Sequence, residues 1–221
     1  MVKSLITDSF ISPAGVAKFP ELNTPSTFFD KDGEYKVTLL LPEGSQEADL
    51  FIKMLDDIVD ECFQAEKEAL IKEKKHRAAQ ELQKTKVPYR KEMDKEGNLT
   101  GNVEFFFSCK AKRDGVTKVF PKIDAKRQVI SENIKVTGGS IIKAAVFYKS
   151  IYANSFKKAG AKFYLQAVQV IELKSYTGGS DGTFGFTEED GFESASVAVN
   201  SNFDFNEGAE ELQDNGENVS F

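Results

Sequence analysis

The clearest pattern in the chain is the alternation of apolar and polar residues over 35–41. Every second residue of this stretch is apolar, namely Tyr35, Val37, Leu39 and Leu41. A period of two residues is typical of a β-strand with one buried face. Further strands are predicted at 102–112, 116–123, 138–153 and 161–173.

After the first strand the apolar period changes to that of a helix. Ser45 is a good N-cap, and the acidic residues Glu47 and Asp49 would lie in the first turn, at the positive end of the helix dipole. Apolar pairs then recur once per turn as far as Ala69 and Leu70, which predicts one long amphipathic helix packed on a core. The polar and mostly basic stretch 71–91 either continues this helix into solvent or ends it before Pro88.

Together with an N-terminal segment, these elements amount to five or six strands and a single helix in residues 1–177. A lone helix cannot cover both faces of an open sheet, so we expect a closed antiparallel barrel capped by the helix. The mainly β class and this order of elements favour the oligonucleotide/oligosaccharide-binding barrel, or OB-fold. A β-sandwich is the alternative.

Charge is divided unevenly along the chain. The stretch from Ser175 to Phe221 has no lysine or arginine and eleven acidic residues, whereas residues 1–174 hold all 29 basic residues against 24 acidic ones. We predict a folded, mildly basic domain over 1–177, followed at 178–221 by a glycine-rich hinge and a disordered acidic tail. A basic body of this kind suits a polyanionic partner.

Motifs for catalysis or metal binding are weak. Cys62 and Cys109 lie far apart without a CxxC pattern, and Gly138 and Gly139 lack the lysine and spacing of a phosphate-binding loop. We therefore predict no enzyme, no metal and no cofactor. The apolar runs are shorter than the roughly 20 residues needed to cross a bilayer, so we expect no membrane contact and a cytoplasmic protein.

Aromatic and lysine side chains share the solvent sides of the predicted strands. In 102–112 the inward residues are Val103, Phe105 and Phe107, which leaves Phe106 and Lys110 on the outer face. Exposed rings stack on unpaired bases and lysines follow the phosphates, so this pattern predicts binding of single-stranded nucleic acid without sequence preference. The predicted contact residues are Lys36, Phe106, Lys110, Lys112, Phe147, Tyr148, Lys149, Tyr152, Phe156, Lys157, Lys158, Lys162 and Tyr164.

The alternative is that these rings pack under the helix or in a dimer interface, and that the lysines only keep the surface soluble. Two other classes of function also stay open. The acidic end could mimic nucleic acid and block a host enzyme, or the same barrel could bind RNA, which sequence alone does not separate from DNA.

The acidic tail ends on an aromatic residue, Phe221. A tethered polyanion can occupy a basic cleft when nucleic acid is absent. The terminal carboxylate and ring also offer a charge and an apolar group to a pocket on another protein; alternatively, the tail only solubilises. The residues predicted to bind partners are Glu210, Glu211, Asp214, Glu217 and Phe221.

Several stretches together resemble the single-stranded DNA-binding proteins of T-odd podophages and related tailed phages. They are "GEYKVTLLLP", "FFFSCKAK", "PKIDAK", "TGGSIIK", "KFYLQAVQVIELKSYTGGS" and the acidic end with its terminal phenylalanine. The resemblance implies an OB-fold that binds single-stranded DNA in phage replication and recombination, promotes annealing and forms dimers in the bacterial host cytoplasm. It also implies that the tail contacts the replicative DNA polymerase and the helicase/primase.

Overall fold

The computed structural model describes residues 5–28, 30–113 and 115–174, which are mainly β with one long helix. The strands in these ranges are β1 (Thr7–Ile11), β2 (Gly15–Ser26), β3 (Glu34–Pro42), β4 (Gln83–Lys84), β5 (Tyr89–Met93), β6 (Leu99–Lys110), β7 (Lys112–Arg113), β8 (Val116–Thr117), β9 (Lys122–Ile123), β10 (Ile141–Ala153) and β11 (Lys158–Glu172). The helices are α1 (Gln46–Lys72), α2 (His76–Gln80) and a 3-10 turn at Asn154–Phe156.

The long strands form one curled sheet. Its hydrogen-bonded order is β4-β11-β10-β2-β3-β6-β5, with β1 also paired to β10 and β9 to β11. Although β11 and β6 lie near opposite ends of this order, they contact each other, and side chains from both enter one core. The sheet is thus a barrel of five long strands, which confirms the predicted fold class and disfavours a sandwich of two sheets.

Alternating apolar residues of β3 and β6 form part of the inner face of this barrel. In β3 the residues Tyr35, Val37 and Leu39 are buried, and in the paired strand β6 so are Phe105 and Phe107. Antiparallel pairing places Val37 opposite Phe107, so apolar side chains of both strands meet on the same side of the sheet. The opposite, outer side of β3 and β6 is left for other contacts.

Helix α1 caps the barrel, as predicted. The Ser45 hydroxyl accepts a hydrogen bond from the Ala48 amide at 3.2 Å, which satisfies one of the free donors of the first turn. The buried stripe of the helix includes Phe51, whose ring centroid is 4.8 Å from that of Phe105 in the core. The helix ends at Lys72, so the basic stretch after it does not simply continue α1.

Two parts of the sequence-based prediction differ from the structure or lie beyond it. The prediction of one strand over 116–123 is wrong, because only the two-residue strands β8 and β9 form at its ends. Pro121 lies between them and has no amide hydrogen to donate to a neighbouring strand. The acidic residues from 178 onward and Phe221 lie outside the described residues.

Candidate nucleic-acid interface

An open groove of about 570 Å³ lies on the outer face of β2, β3 and β6. We call it the β3–β6 groove; it is lined by Phe19, Glu21, Glu34, Lys36, Thr38, Phe106 and Ser108, with Val37 and Phe107 beneath. The register explains this set, because Thr38 lies opposite both Lys18 and Phe106, and Lys36 opposite both Glu21 and Ser108. Lys36 and Phe106, both predicted as contact residues, are thus brought together.

Phe19 is the most exposed ring of the groove and was not predicted from the sequence. It is 74% exposed and has a φ of 48°, a left-handed conformation that costs energy for a residue with a side chain. The β2–β3 register shifts between Lys18 and Glu21, so the chain bulges outward there. The bulge directs an aromatic ring into solvent beside Phe106, where burial does not explain it.

A cation lies over each of these two rings. The Lys18 ammonium is 5.5 Å from the Phe19 ring centroid, and the Arg90 guanidinium is 4.8 Å from that of Phe106. Both cations also contact the carboxylate of Glu104, each at 2.7 Å. One carboxylate on β6 is therefore linked through two cations to both exposed rings.

Glu104 and its neighbour Glu92 are buried on this outer face and remain ionised. Glu92 accepts hydrogen bonds from Lys18 at 2.5 Å, Thr100 at 2.5 Å and Asn102 at 2.8 Å, which lower its pKa to about 2. Burial alone would raise the pKa of Glu104, but the hydrogen bonds from Lys18 and Arg90 outweigh it, and the pKa is lowered. At neutral pH the two carboxylates are therefore negatively charged and paired with Lys18 and Arg90.

A second group of rings and lysines lies on the outer face of β10 and β11, which we call the β10–β11 patch. Phe147 and Tyr164 are opposite each other in the register, with ring centroids 6.2 Å apart. Lys149 and Lys162 are also opposite each other, and their ammonium groups lie 5.5 and 5.3 Å from the Tyr164 centroid.

Neither lysine of this patch has an acidic partner within 4 Å in the described part of the chain. Like charges placed directly opposite each other in a sheet are unfavourable. A bound anion such as a phosphate would relieve this repulsion, and the two rings beside it offer apolar faces to bases.

A smaller cavity of about 240 Å³ lies where β6 approaches β11, and its lining includes buried core side chains such as Tyr35, Phe120 and Leu165. Leu165 and Gln166 line both this cavity and the opening beside Phe147 and Tyr164. Lys110 lines it from the other side, two residues along β6 from Ser108 of the groove. The predicted residues Lys110 and Lys112 are both exposed, and they contact Asp30 at 3.5 Å and Asp32 at 3.2 Å, respectively.

Two predicted contact residues lie on the wrong side of the sheet. Tyr148 is buried under α1 among Ile58, Val59 and Cys62, because even-numbered residues of β10 point inward. Its burial raises the pKa of its hydroxyl. Tyr152 is half-buried against a cluster that includes Phe63, and its hydroxyl donates to Asn154 at 2.9 Å. The burial of Tyr148 contradicts its prediction as a solvent-facing contact residue, whereas Tyr152 is only half-buried, although it lies away from Phe147.

Three other predicted residues lie beyond the patch, at the turn between β10 and β11. Phe156 is exposed in the 3-10 turn, and Lys157 pairs with Glu81 at 2.6 Å. Lys158 is half-buried opposite Gln83 of β4. The structure therefore does not bring these three residues together with Phe106 or Tyr164.

Sequence reasoning missed Lys18, Phe19 and Arg90. A signal for Phe19 exists in "KFPEL", where an aromatic residue before a proline interrupts the alternation of β2. The sequence around Arg90 contains no such signal, because the position of Arg90 over the Phe106 ring depends on the pairing of β5 with β6.

Over the described ranges, no group of three or more His, Cys, Asp or Glu side chains is arranged to hold a metal ion. Within those same ranges, no helix has both the length and the apolar character needed to span a membrane.

Comparison with known proteins gives relatives of one kind. No protein-family model matches the chain. The single-stranded DNA-binding protein of Escherichia phage T7 is 28% identical over 187 residues, and that of Enterobacteria phage T3 is 29% identical over 188. Each alignment covers 81% of this chain and 79% of the relative.

The fold also has a solved counterpart. The crystal structure of gp2.5, a single-stranded DNA-binding protein encoded by bacteriophage T7, matches with a TM-score of 0.59 and 21% sequence identity. The match covers 86% of this chain and all of the solved one. The T7 and T3 relatives in sequence and the T7 structure in fold confirm that this chain resembles the phage-type single-stranded DNA-binding proteins.

Proposed function

We propose that this protein is a non-catalytic, sequence-independent single-stranded DNA-binding protein of phage DNA replication. One observation carries the proposal: exposed or half-buried rings and lysines occupy the β3–β6 groove and the β10–β11 patch on the outside of the same barrel. The names of the T7 and T3 relatives support the same function.

Binding would combine two kinds of contact. Phe19, Phe106 and the pair Phe147 and Tyr164 would stack on bases, each stacked base contributing about 1–3 kcal/mol. The lysines would neutralise phosphates and release counterions. Lys110 of β6 and Gln166 of β11 would lie along the path of a strand that runs from the groove to the patch. Stacking and phosphate contacts do not read base edges, so little sequence preference is expected.

The test is a fluorescence titration of a labelled oligo-dT at increasing NaCl. If Lys36, Lys110, Lys112, Lys149 and Lys162 each neutralise one phosphate, log K should fall against log[salt] with a slope of about −3.5. The double variant Lys149→Ala/Lys162→Ala should reduce the magnitude of that slope by about 1.4.

Matched alanine replacements of the α1 lysines Lys53 and Lys72 serve as the control and should leave the slope unchanged. Competition with RNA and with duplex DNA of equal length tests the preference for single-stranded DNA. Absence of binding in low salt would overturn the proposal and would instead favour the nucleic-acid mimic.

We further propose that residues 1–177 form the DNA-binding domain and that 178–221 form a hinge and an acidic tail for protein partners. The stretch from Ser175 to Phe221 has eleven acidic residues and no lysine or arginine. Glu210, Glu211, Asp214, Glu217 and Phe221 would contact the replicative polymerase and the helicase/primase. Roles in recombination and annealing, dimer formation and location in the host cytoplasm are part of this proposal.

Deletion of residues 201–221 should tighten binding to oligo-dT several-fold at low salt, because a tethered polyanion no longer competes for the lysines. The difference should shrink as salt rises. Titration of the full-length and shortened proteins measures it. Phe221→Ala, which keeps all the acidic residues, should leave the DNA affinity unchanged but weaken capture of the polymerase. Equal affinities of the full-length and shortened proteins would contradict the competition.

A further inference from the structure

The buried carboxylate of Glu104 connects the two exposed rings of the β3–β6 groove. Glu104 is only 3% exposed although it lies on the outer face of β6, on the same side as Phe106. Its two oxygens are used separately: Oε1 accepts from Lys18 and Oε2 from Arg90, each at 2.7 Å. Each of these cations lies over one ring, as described above.

We infer that Glu104 is a positioning residue of the DNA-binding groove, an inference that rests on the proposed function. By holding Lys18 against Phe19 and Arg90 against Phe106, it limits the motion of two rings that the barrel core does not enclose. A ring that is already ordered loses less conformational entropy when a base stacks on it. Without Glu104, Arg90 would lose its carboxylate partner and Lys18 would keep only Glu92, so more of the ordering of the two rings would have to occur during binding.

Simple electrostatics predicts the opposite effect of removing this carboxylate. Lys18, Arg90, Glu92 and Glu104 together carry no net charge, so neutralising Glu104 leaves one extra positive charge beside the groove. If charge alone mattered, the variant would bind a polyanion more tightly. The direction of the change therefore distinguishes positioning from charge.

Glu21 provides a matched control. Its carboxylate lines the same groove and contacts the Lys36 ammonium at 3.1 Å, but no ring contact of Lys36 is found in the described residues. Glu21→Gln removes one negative charge without releasing a ring. It should bind oligo-dT more tightly than the unaltered protein, whereas Glu104→Gln should bind roughly fivefold more weakly, despite the same change in net charge.

A second pair of variants guards against loss of the fold, because Glu104 is buried. Arg90→Gln removes the cation over Phe106, and because the Arg90 side chain is 70% exposed, the replacement should not disturb the fold. Lys91→Gln is the matched variant, since Lys91 is the next residue but pairs with Glu43. Both lose one positive charge, so a larger loss of affinity in Arg90→Gln reports the ring contact. Thermal unfolding is measured for all four variants.

The chain has no tryptophan, which allows a direct measurement of ring mobility. With Phe106→Trp as the sole tryptophan, adding Glu104→Gln should lower its fluorescence anisotropy in the DNA-free protein and increase quenching by acrylamide. Unchanged anisotropy, or a Glu104→Gln protein that binds as tightly as Glu21→Gln, would overturn the inference. Failure of the unaltered protein to bind oligo-dT would instead overturn the proposed function.

Discussion

Replacing Phe19 and Phe106 together by alanine is expected to weaken binding of single-stranded DNA by at least about 30-fold. Each ring would stack on one base at about 1–3 kcal/mol, and 1.4 kcal/mol corresponds to tenfold in affinity. The loss should persist at high salt, because stacking does not depend on counterion release. Titration of labelled oligo-dT at two salt concentrations measures both the size and the salt dependence of the loss.

The barrel should tolerate these replacements, since both rings lie outside its core. Phe19 has a φ of 48°, so Phe19→Gly relieves an unfavourable backbone conformation and should keep or raise the unfolding temperature while weakening DNA binding. Such a stability gain with a loss of binding would indicate that the strained residue is retained for function.

The control for this pair is the double variant Leu50→Ala/Ile71→Ala on α1, which removes two exposed apolar side chains away from the groove. It should bind within twofold of the unaltered protein. If the Phe19 and Phe106 variant did the same, the groove would not be the stacking site, and the β10–β11 patch alone would have to account for binding.

The sequence was informative wherever one face of a strand is apolar and the other polar. In β3 and β6 the period of two decides which residues face the core, so Lys36 and Phe106 could be placed on the outer surface. The same rule placed Lys162 and Tyr164 outside β11. The N-cap at Ser45 could also be predicted, because capping is a local interaction.

Strand β10 shows where that reasoning fails. Its sequence "IIKAAVFYKSIYA" has apolar residues on both faces, so alternation does not show which face is buried. Phe147 and Tyr148 are consecutive and must point to opposite sides of the sheet, yet both were predicted outside. The choice depends on α1, which lies over the even-numbered face, and that packing is a long-range contact.

The ring cluster of the groove could not be predicted for a related reason. Phe19 is exposed because a bulge and a positive φ interrupt β2, and Arg90 reaches Phe106 only because β5 pairs with β6. Glu104, a charged residue in the middle of a strand, would ordinarily be assigned to solvent, although two cations from other strands bury it. These features arise from tertiary pairing and leave little mark in a local pattern.

Tyr148 and Tyr164 lie on opposite faces of the β10–β11 hairpin, so we expect their replacement by alanine to have opposite effects on stability and on DNA binding. Tyr148 is buried, with ring centroids 6.2 Å from Phe10 and 6.1 Å from Phe163, whereas Tyr164 lies on the outer face beside Lys149 and Lys162. Tyr148→Ala should lower the free energy of unfolding by on the order of 3 kcal/mol, the cost typical of deleting a buried aromatic ring.

Tyr164→Ala should instead weaken DNA binding by roughly fivefold or more, with a change in unfolding free energy below about 1 kcal/mol. Urea denaturation and oligo-dT titration on the same two proteins separate these effects, and Tyr148→Ala is titrated under conditions where it remains folded, so that its affinity reflects the intact barrel. If Tyr148→Ala kept its stability and lost DNA binding, while Tyr164→Ala did the reverse, β10 would have to present its even-numbered residues to solvent. Phe147 and Lys149 would then point into the barrel, and the β10–β11 patch could not contact the bound strand.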